Sequence, residues 1–196
     1  VDHGFNAPSI HTTRTVASCG VPISTAVAAG ISAIGEHHGG AGAECGRLLQ
    51  EYLEKDRGKS IDAISKNIVN DYLDMGVKIP GLGHRLYKDR DPRAQKLIDL
   101  AHRWGLEGSG LALLRAVAKT WEGETGKHLA INIDGAQGAI LLDIGISWMH
   151  AKGIFLIGRA AGLNAHAVEQ IALGRPVKFA GTIQEKYTGP KSRPLP

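Results

Sequence analysis

The chain has 196 residues, of which 43% are hydrophobic, 21% charged and 5% aromatic, with a formal net charge of +4. That balance is ordinary for a globular protein of one or two domains with a substantial core. No apolar run reaches the ~18–20 residues that span a bilayer, and the opening Val1-Asp2-His3 carries neither a Met nor a signal-peptide pattern. The chain is therefore expected to begin inside a longer protein and to work in the cytoplasm.

In chain order the signals are helical. Residues 7–19 carry Pro8 and Ser9 near a start and Gly20 as a stop. Residues 22–34 are apolar nearly all round and read as a buried helix. Residues 40–54 place Ala43, Leu48, Leu49 and Leu53 on one side, with charges opposite. Ser60 suits the N-cap of a helix over 61–75, where Ile61, Ile64, Ile68 and Leu73 recur near helical spacing. Asp91-Pro92 opens a helix to about Arg103. Further helices are expected at 109–122, 135–149, 153–163 and 165–173. No convincing alternating strand is present, and the tail from Gly174 reads as irregular. Gly-rich stretches at 39–42 and 80–83 are candidate hinges of an enzyme that closes on its ligand. The two cysteines, Cys19 and Cys45, have neither zinc nor disulfide spacing and are expected to be buried free thiols.

The positive excess gathers in 85–103, at Arg85, Lys88, Arg90, Arg93, Lys96 and Arg103. Few aromatics interleave with it, which disfavours nucleic acid and leaves a phosphorylated or polycarboxylate small molecule.

Three short stretches carry ionisable groups beside glycine: Gly35-Glu36-His37-His38-Gly39-Gly40, Pro80-Gly81-Leu82-Gly83-His84-Arg85 and Asn132-Ile133-Asp134-Gly135. Two imidazoles and a carboxylate suit proton transfer beside a carbonyl, with a base for the proton and donors for the oxyanion. Each also has a plainer reading. His38 fits a helix terminus, His84 an ordinary turn, and Asp134 an N-cap. Adjacent side chains His37 and His38 point apart and no carboxylate has ligand spacing, so no metal is expected. Arg159 stands in an otherwise apolar helix and, like Arg93, needs an anion, either a protein carboxylate or a substrate.

Taken in order, these motifs resemble the C-terminal half of the citrate synthase superfamily. Asp2-His3 with Asn6-Ala7 looks like its Asp-His-x-x-Asn-Ala start, and His38-Gly39-Gly40-Ala41 like its His-Gly-Gly-Ala. Gly81 to Lys88 with Asp91-Pro92-Arg93-Ala94 is similar to its Gly-x-Gly-His-Arg-x-Tyr…Asp-Pro-Arg-Ala; Asn132-Ile133-Asp134 and Gly158-Arg159 follow in place. The resemblance implies an all-α fold, with a large and a small helical domain. The expected division is 1–55 in the large domain, 56–150 as the small domain, and 151–196 returning to the large one. It also implies a homodimer or higher homo-oligomer with no permanently bound cofactor, no nucleic acid and no membrane partner. Its substrates are acetyl-CoA or citryl-CoA, and oxaloacetate. By the resemblance, Asp134 exchanges a proton with the acetyl methyl carbon and His38 donates to the thioester oxygen. His84 polarises the oxaloacetate ketone and is the base for the hydroxyl in cleavage. His3, Arg93 and Arg159 grip carboxylates. Lys78, Ile79, Pro80, Gly81, Leu82, Gly83, Asn132 and Lys88 hold coenzyme A.

Two departures favour a short citryl-CoA lyase over a citrate or 2-methylcitrate synthase. The arginine that synthases carry near the C-terminus has no match in Thr182–Gly189, where Lys178 and Lys186 stand nearby. A synthase is also about twice as long. Other classes are a non-catalytic CoA-binding module, which has no need of all three of His38, His84 and Asp134, and a basic nucleic-acid-binding domain.

Overall fold

The computed structural model describes residues 4–174. His3 and the tail beyond Gly174, including Lys178 and Lys186, lie outside the described residues. The described chain is all helical: α1 Pro8–Ser18, α2 Ile23–Ser32, α3 Ala41–Lys55, α4 Ile61–Met75, α5 Pro92–Arg103, α6 Ser109–Thr125, α7 Ile133–Asp143 and α8 Ala151–Ala172, with a 3-10 turn at Trp148–His150. Among these residues the only β pairing is an isolated antiparallel bridge, Leu82 with Ile131.

Local chemistry sets the boundaries of several helices. Ser60 caps α4 by accepting from Ala63 N–H, and Asp91 caps α5 by accepting from Arg93 N–H, with Pro92 at the first turn. Asn132 caps α7 by accepting from Gly135 N–H. So Asp134 lies one step inside the helix, freed from capping.

Four expectations need correction here. The helix read over 135–149 ends at Asp143. There the Asp143 carboxylate accepts from Gly108, Gly110 and Leu111 N–H groups and caps α6 from outside, while Gly145 takes φ +78° and turns the chain. The helices read as 153–163 and 165–173 are one, α8, because nothing between them breaks the backbone ladder. Cys45 is buried but Cys19, at the end of α1, is exposed. Helix α2 also differs from the buried helix its composition suggests: it buries Ala26 and Gly30 and leaves Ile23 39% exposed.

The core has three parts, one large and two small. The larger is built from α3 to α7 around Cys45, Leu49, Ile68, Val69, Leu111, Leu113, Leu114 and Ala136. The smaller parts sit where α1, α2 and α8 pack, around Ile10 and Leu163, and around Ala17, Ala26 and Ala167. Small residues let helices cross closely. A Cβ on Gly138 of α7 would fall 2.5 Å from the Gly42 carbonyl oxygen and 2.8 Å from the Gly46 nitrogen, both on α3. That crossing sets the start of α7 beside the start of α3, and so Asp134 beside the turn that carries His38.

Candidate active site

Residues 79–84 run against residues 129–132. Gly83 N–H donates to the Ala130 carbonyl at 2.7 Å and Asn132 N–H to the Gly81 carbonyl at 3.0 Å. The Asn132 side-chain amide donates to the Gly83 carbonyl at 2.8 Å. Gly81, at φ +89°, leaves no room for a side chain: a Cβ would lie 2.6 Å from Cys45 Sγ and 2.8 Å from Gly135 Cα. This backbone-to-backbone seat carries the loop into His84 directly opposite the N-terminal turn of α7.

A hollow of about 240 Å³ results, lined by His38, His84, Arg93, Asp134 and Arg159 together with Glu36, His37 and Phe155. Five expected site residues, separated by up to 121 positions in the chain (159 − 38), thus face one space.

His38 sits in the turn between α2 and α3, its Nε2 2.9 Å from Ser9 Oγ. Arg159 Nη1 donates to the same hydroxyl at 3.3 Å, and its guanidinium lies over the Phe155 ring, 5.0 Å from the centroid. Because arginine only donates, Ser9 accepts there, and its own hydrogen can turn to His38 Nε2. With that hydrogen on Nε2, the neutral imidazole carries its proton on Nδ1. Burial, and then the Arg159 charge, hold the His38 pKa below the ordinary histidine value, so the ring is neutral at neutral pH.

His84 is held differently. Its Nδ1 accepts from the backbone N–H groups of Leu86, at 3.1 Å, and Tyr87, at 3.2 Å. The neutral ring therefore carries its proton on Nε2, 3.1 Å from Arg93 Nη2. Two donors converge on one point, which suits an oxygen bearing negative charge.

Arg93 has a protein partner. Its Nε and Nη2 donate to the two oxygens of Asp91, at 3.0 and 2.8 Å, and Asp91 is fully buried. Asp91 also accepts from Ile133 N–H at 3.0 Å, tying α5 to the first residue of α7. Burial pushes the Asp91 carboxyl up, but the Arg93 side chain and backbone bonds outweigh it and hold its pKa below the usual carboxylate range. Asp134 is shifted the other way. Burial raises its pKa, the Asp91 charge adds to the rise, and the Arg93 and Arg159 charges do not reverse it. The same burial, with Asp134 adding to it, pushes the Cys45 thiol up to about 12, so that thiol is inert.

These observations place a raised-pKa carboxylate, two oriented imidazoles and two arginines around one small cavity. The chain belongs to the citrate synthase family. The model of the citrate synthase C-terminal domain matches residues 1–180. A putative citrate synthase 2 of Mycobacterium bovis is 33% identical over 197 aligned positions, covering 98% of this chain and 49% of that protein. The chain thus spans about half the length of the curated relatives it matches. Among solved structures, a citryl-CoA lyase from Hydrogenobacter thermophilus is 38% identical with a TM-score of 0.88, covering 100% of this chain and 75% of that one. ATP citrate lyase from Methanothrix soehngenii, in complex with citrate and coenzyme A, is 25% identical with a TM-score of 0.81, covering 97% of this chain and 32% of that one.

Within this citrate synthase-family fold a second hollow, of about 750 Å³, adjoins His84. Lys78, Ile79, Leu82, Gly83 and Lys88 line it; Pro80, Gly81 and Asn132 do not. Gly81 is packed on Cys45 and Gly135, and Asn132 is turned inward as the α7 cap. Reading the sequence missed the opposite wall, formed by Tyr72 of α4, Trp121 and Thr125 at the end of α6, and Lys127 just after it. It also missed Ser9, whose place two residues after Ala7 carries no chemical signal until His38 is folded against it. Among the described residues no group of three or more His, Cys, Asp and Glu side chains is placed to hold a metal ion, and no helix is long and apolar enough to cross a membrane.

Proposed function

We propose that this chain cleaves citryl-CoA to acetyl-CoA and oxaloacetate. The observation that carries the reading is the cavity in which Asp134, His38 and His84 meet beside Arg93 and Arg159. The citryl-CoA lyase likeness over the full length of the chain supports the cleavage direction.

The citryl group sits in the small hollow, its carboxylates toward Arg159 and the outer edge of Arg93. Its thioester arm passes His84 into the larger hollow, where the coenzyme lies between the 78–83 loop and the α4–α6 wall. Lys88 and Lys127 face its phosphates. The hydroxyl oxygen occupies the point between His84 Nε2 and Arg93 Nη2. As the hydroxyl loses its proton, the electrons of the carbon–carbon bond move to the thioester. The hydroxyl carbon becomes the ketone of oxaloacetate, and the thioester oxygen, carrying the enolate charge, accepts from His38 Nδ1. Asp134, protonated at the start, gives its proton to the methylene carbon and ends as the carboxylate. Its raised pKa moves the balance toward the protonated form that this direction requires. Taking up the hydroxyl proton at His84 Nε2 requires the ring proton to move to Nδ1. That move displaces the Leu86 and Tyr87 N–H groups, so the 84–87 turn shifts with this step.

We place the enzyme in the cytoplasm as a homodimer. In support, Ile157, Val168 and Ile171 leave α8 an exposed apolar edge. The relatives named citrate synthase favour a second reading, condensation of acetyl-CoA with oxaloacetate followed by hydrolysis. One experiment separates the two. The purified protein is incubated with citryl-CoA, and separately with acetyl-CoA plus oxaloacetate. The lyase reading expects acetyl-CoA and oxaloacetate from the first and little free thiol from the second. Rapid thiol release in the second, with slow oxaloacetate formation in the first, overturns it.

A further inference from the structure

Tyr87 lies just behind the reacting groups and touches two of them. Its ring stacks on the His84 imidazole, with centroids 4.8 Å apart and planes 26° from parallel. The Arg93 guanidinium carbon sits 5.4 Å from the centroid of the same ring. Its backbone N–H is one of the two that His84 Nδ1 accepts. One residue therefore sets the imidazole twice, its tautomer through the backbone and its plane through the ring, and packs against the guanidinium that shares the oxyanion point. Among the described residues the Tyr87 hydroxyl makes no hydrogen bond.

We propose that Tyr87 is a positioning residue whose aromatic face holds His84 and Arg93 aimed at the same oxygen. The physical reason lies in the donor pair itself. Two N–H donors 3.1 Å apart with no oxygen between them repel, so keeping both on one point needs a restraint. Asp91 restrains Arg93 through Nε and Nη2, but nothing in that ion pair restrains the rotation of the His84 ring about its Cβ–Cγ bond. A flat face against the ring does so, and the same face attracts the cation. The donors are then aligned before substrate arrives, which lowers the reorganisation cost of the step. The role belongs to the ring and not to the phenol oxygen.

The inference rests on the cleavage reading above, and its test separates the two. Tyr87→Phe, Tyr87→Leu and Tyr87→Gln are compared with the parent, each keeping the backbone N–H of residue 87. Folding is followed by circular dichroism. With citryl-CoA, the Leu and Gln variants are expected to lose about 10- to 100-fold in kcat, with KM changed by less than about threefold. Tyr87→Phe is expected to restore turnover to within about threefold of the parent. In nitrogen-15 spectra of the histidines, the His84 signals of the parent and of Tyr87→Phe report one tautomer with the proton on Nε2. In the Leu or Gln variant they move toward the average of two tautomers. His84 signals unchanged in a folded non-aromatic variant overturn the proposal, as does a Tyr87→Phe variant as slow as Tyr87→Leu. A parent that does not cleave citryl-CoA, but whose His84 signals move on loss of the ring, overturns the lyase reading and leaves Tyr87 in place.

Discussion

Asp134 carries the most consequential side chain in the cavity. Burial raises its pKa, so folding favours the protonated form. The sign follows directly. Below the ordinary carboxylate range both folded and unfolded chains are protonated and no difference arises. As pH rises past that range the unfolded chain ionises first, and the fold loses stability until the raised folded value is passed. Asp134→Asn is therefore expected to melt higher than the parent at neutral pH, with the gain vanishing in acid. In the proposed role of Asp134 as proton carrier, its loss is expected to lower turnover by roughly 10²–10⁴. A variant that is no more stable at pH 7, or that turns over at the parent rate, contradicts the assignment.

His38 and His84 are expected to act on opposite ends of one transition state. Replacing either by Ala should cost about 3–4 kcal/mol of transition-state stabilisation. The double variant should cost less than the sum, since the first loss already undoes the shared geometry. Full additivity in kcat would argue for two separate sites. Arg93 stands apart from them. Arg93→Ala leaves the buried Asp91 without the side chain that offsets its charge, and its stability is expected to fall by about 3 kcal/mol. The Asp91 pKa is depressed in the fold, so the stability it contributes is present above the ordinary carboxylate range and lost as pH falls through the depressed value. The deficit of the variant should therefore shrink in acid. Thermal melts at several pH values check both the size and the trend, and a pH-independent deficit would count against the ion pair as its source.

Helix α7 joins the 79–84 and 129–132 loops to the α3 crossing, and its first turn is where the two meet. Asn132→Ala removes the N-cap bond to Gly135 and the tie to the Gly83 carbonyl. The cap alone contributes about 1 kcal/mol, and the freed loop should raise KM for the CoA thioester. Gly135→Ala is expected to be worse. Its Cβ would stand 2.4 Å from the Gly81 carbonyl oxygen, so backbone must separate from backbone. Overpacking of this kind typically costs about 1–3 kcal/mol. Denaturant melts paired with CoA-ester kinetics should rank the parent above Asn132→Ala and Asn132→Ala above Gly135→Ala. A Gly135→Ala variant as stable as the parent would disprove the close seat.

The whole molecule is weakly cationic, and part of that charge has a location. Lys78, Arg85, Lys88 and Lys127 rim the larger hollow, drawn from the loop after α4, the His84 loop and the turn after α6. The proposed thioester site therefore predicts a KM that rises with ionic strength, because exposed charges are screened within about 8–10 Å at physiological salt. Lys88→Ala or Lys127→Ala should each raise KM about two- to fivefold with kcat unchanged. Kinetics from low to high salt read this out, and a salt-independent KM would move the phosphates elsewhere.

What the sequence determined alone was local chemistry and an ordered set of motifs. Ser60, Asp91-Pro92 and the glycines placed the helix boundaries from α1 to α5 to within a residue or two, because capping bonds join neighbours in the chain. The order of the His38, His84, Asp91-Pro92-Arg93 and Asp134 motifs was legible for the same reason: each is a contiguous string. Tertiary structure alone decided the rest. It set Ser9 under His38 and tied Asp91 to the N–H of Ile133. It put Tyr72, Trp121 and Lys127 across from Lys88. It ended α7 at Asp143 by spending that carboxylate on α6, and left one face of α2 exposed. The Ser9–His38, Asp91–Ile133 and Asp143–Gly108 contacts each join groups far apart in the chain, so no contiguous string of residues carries them.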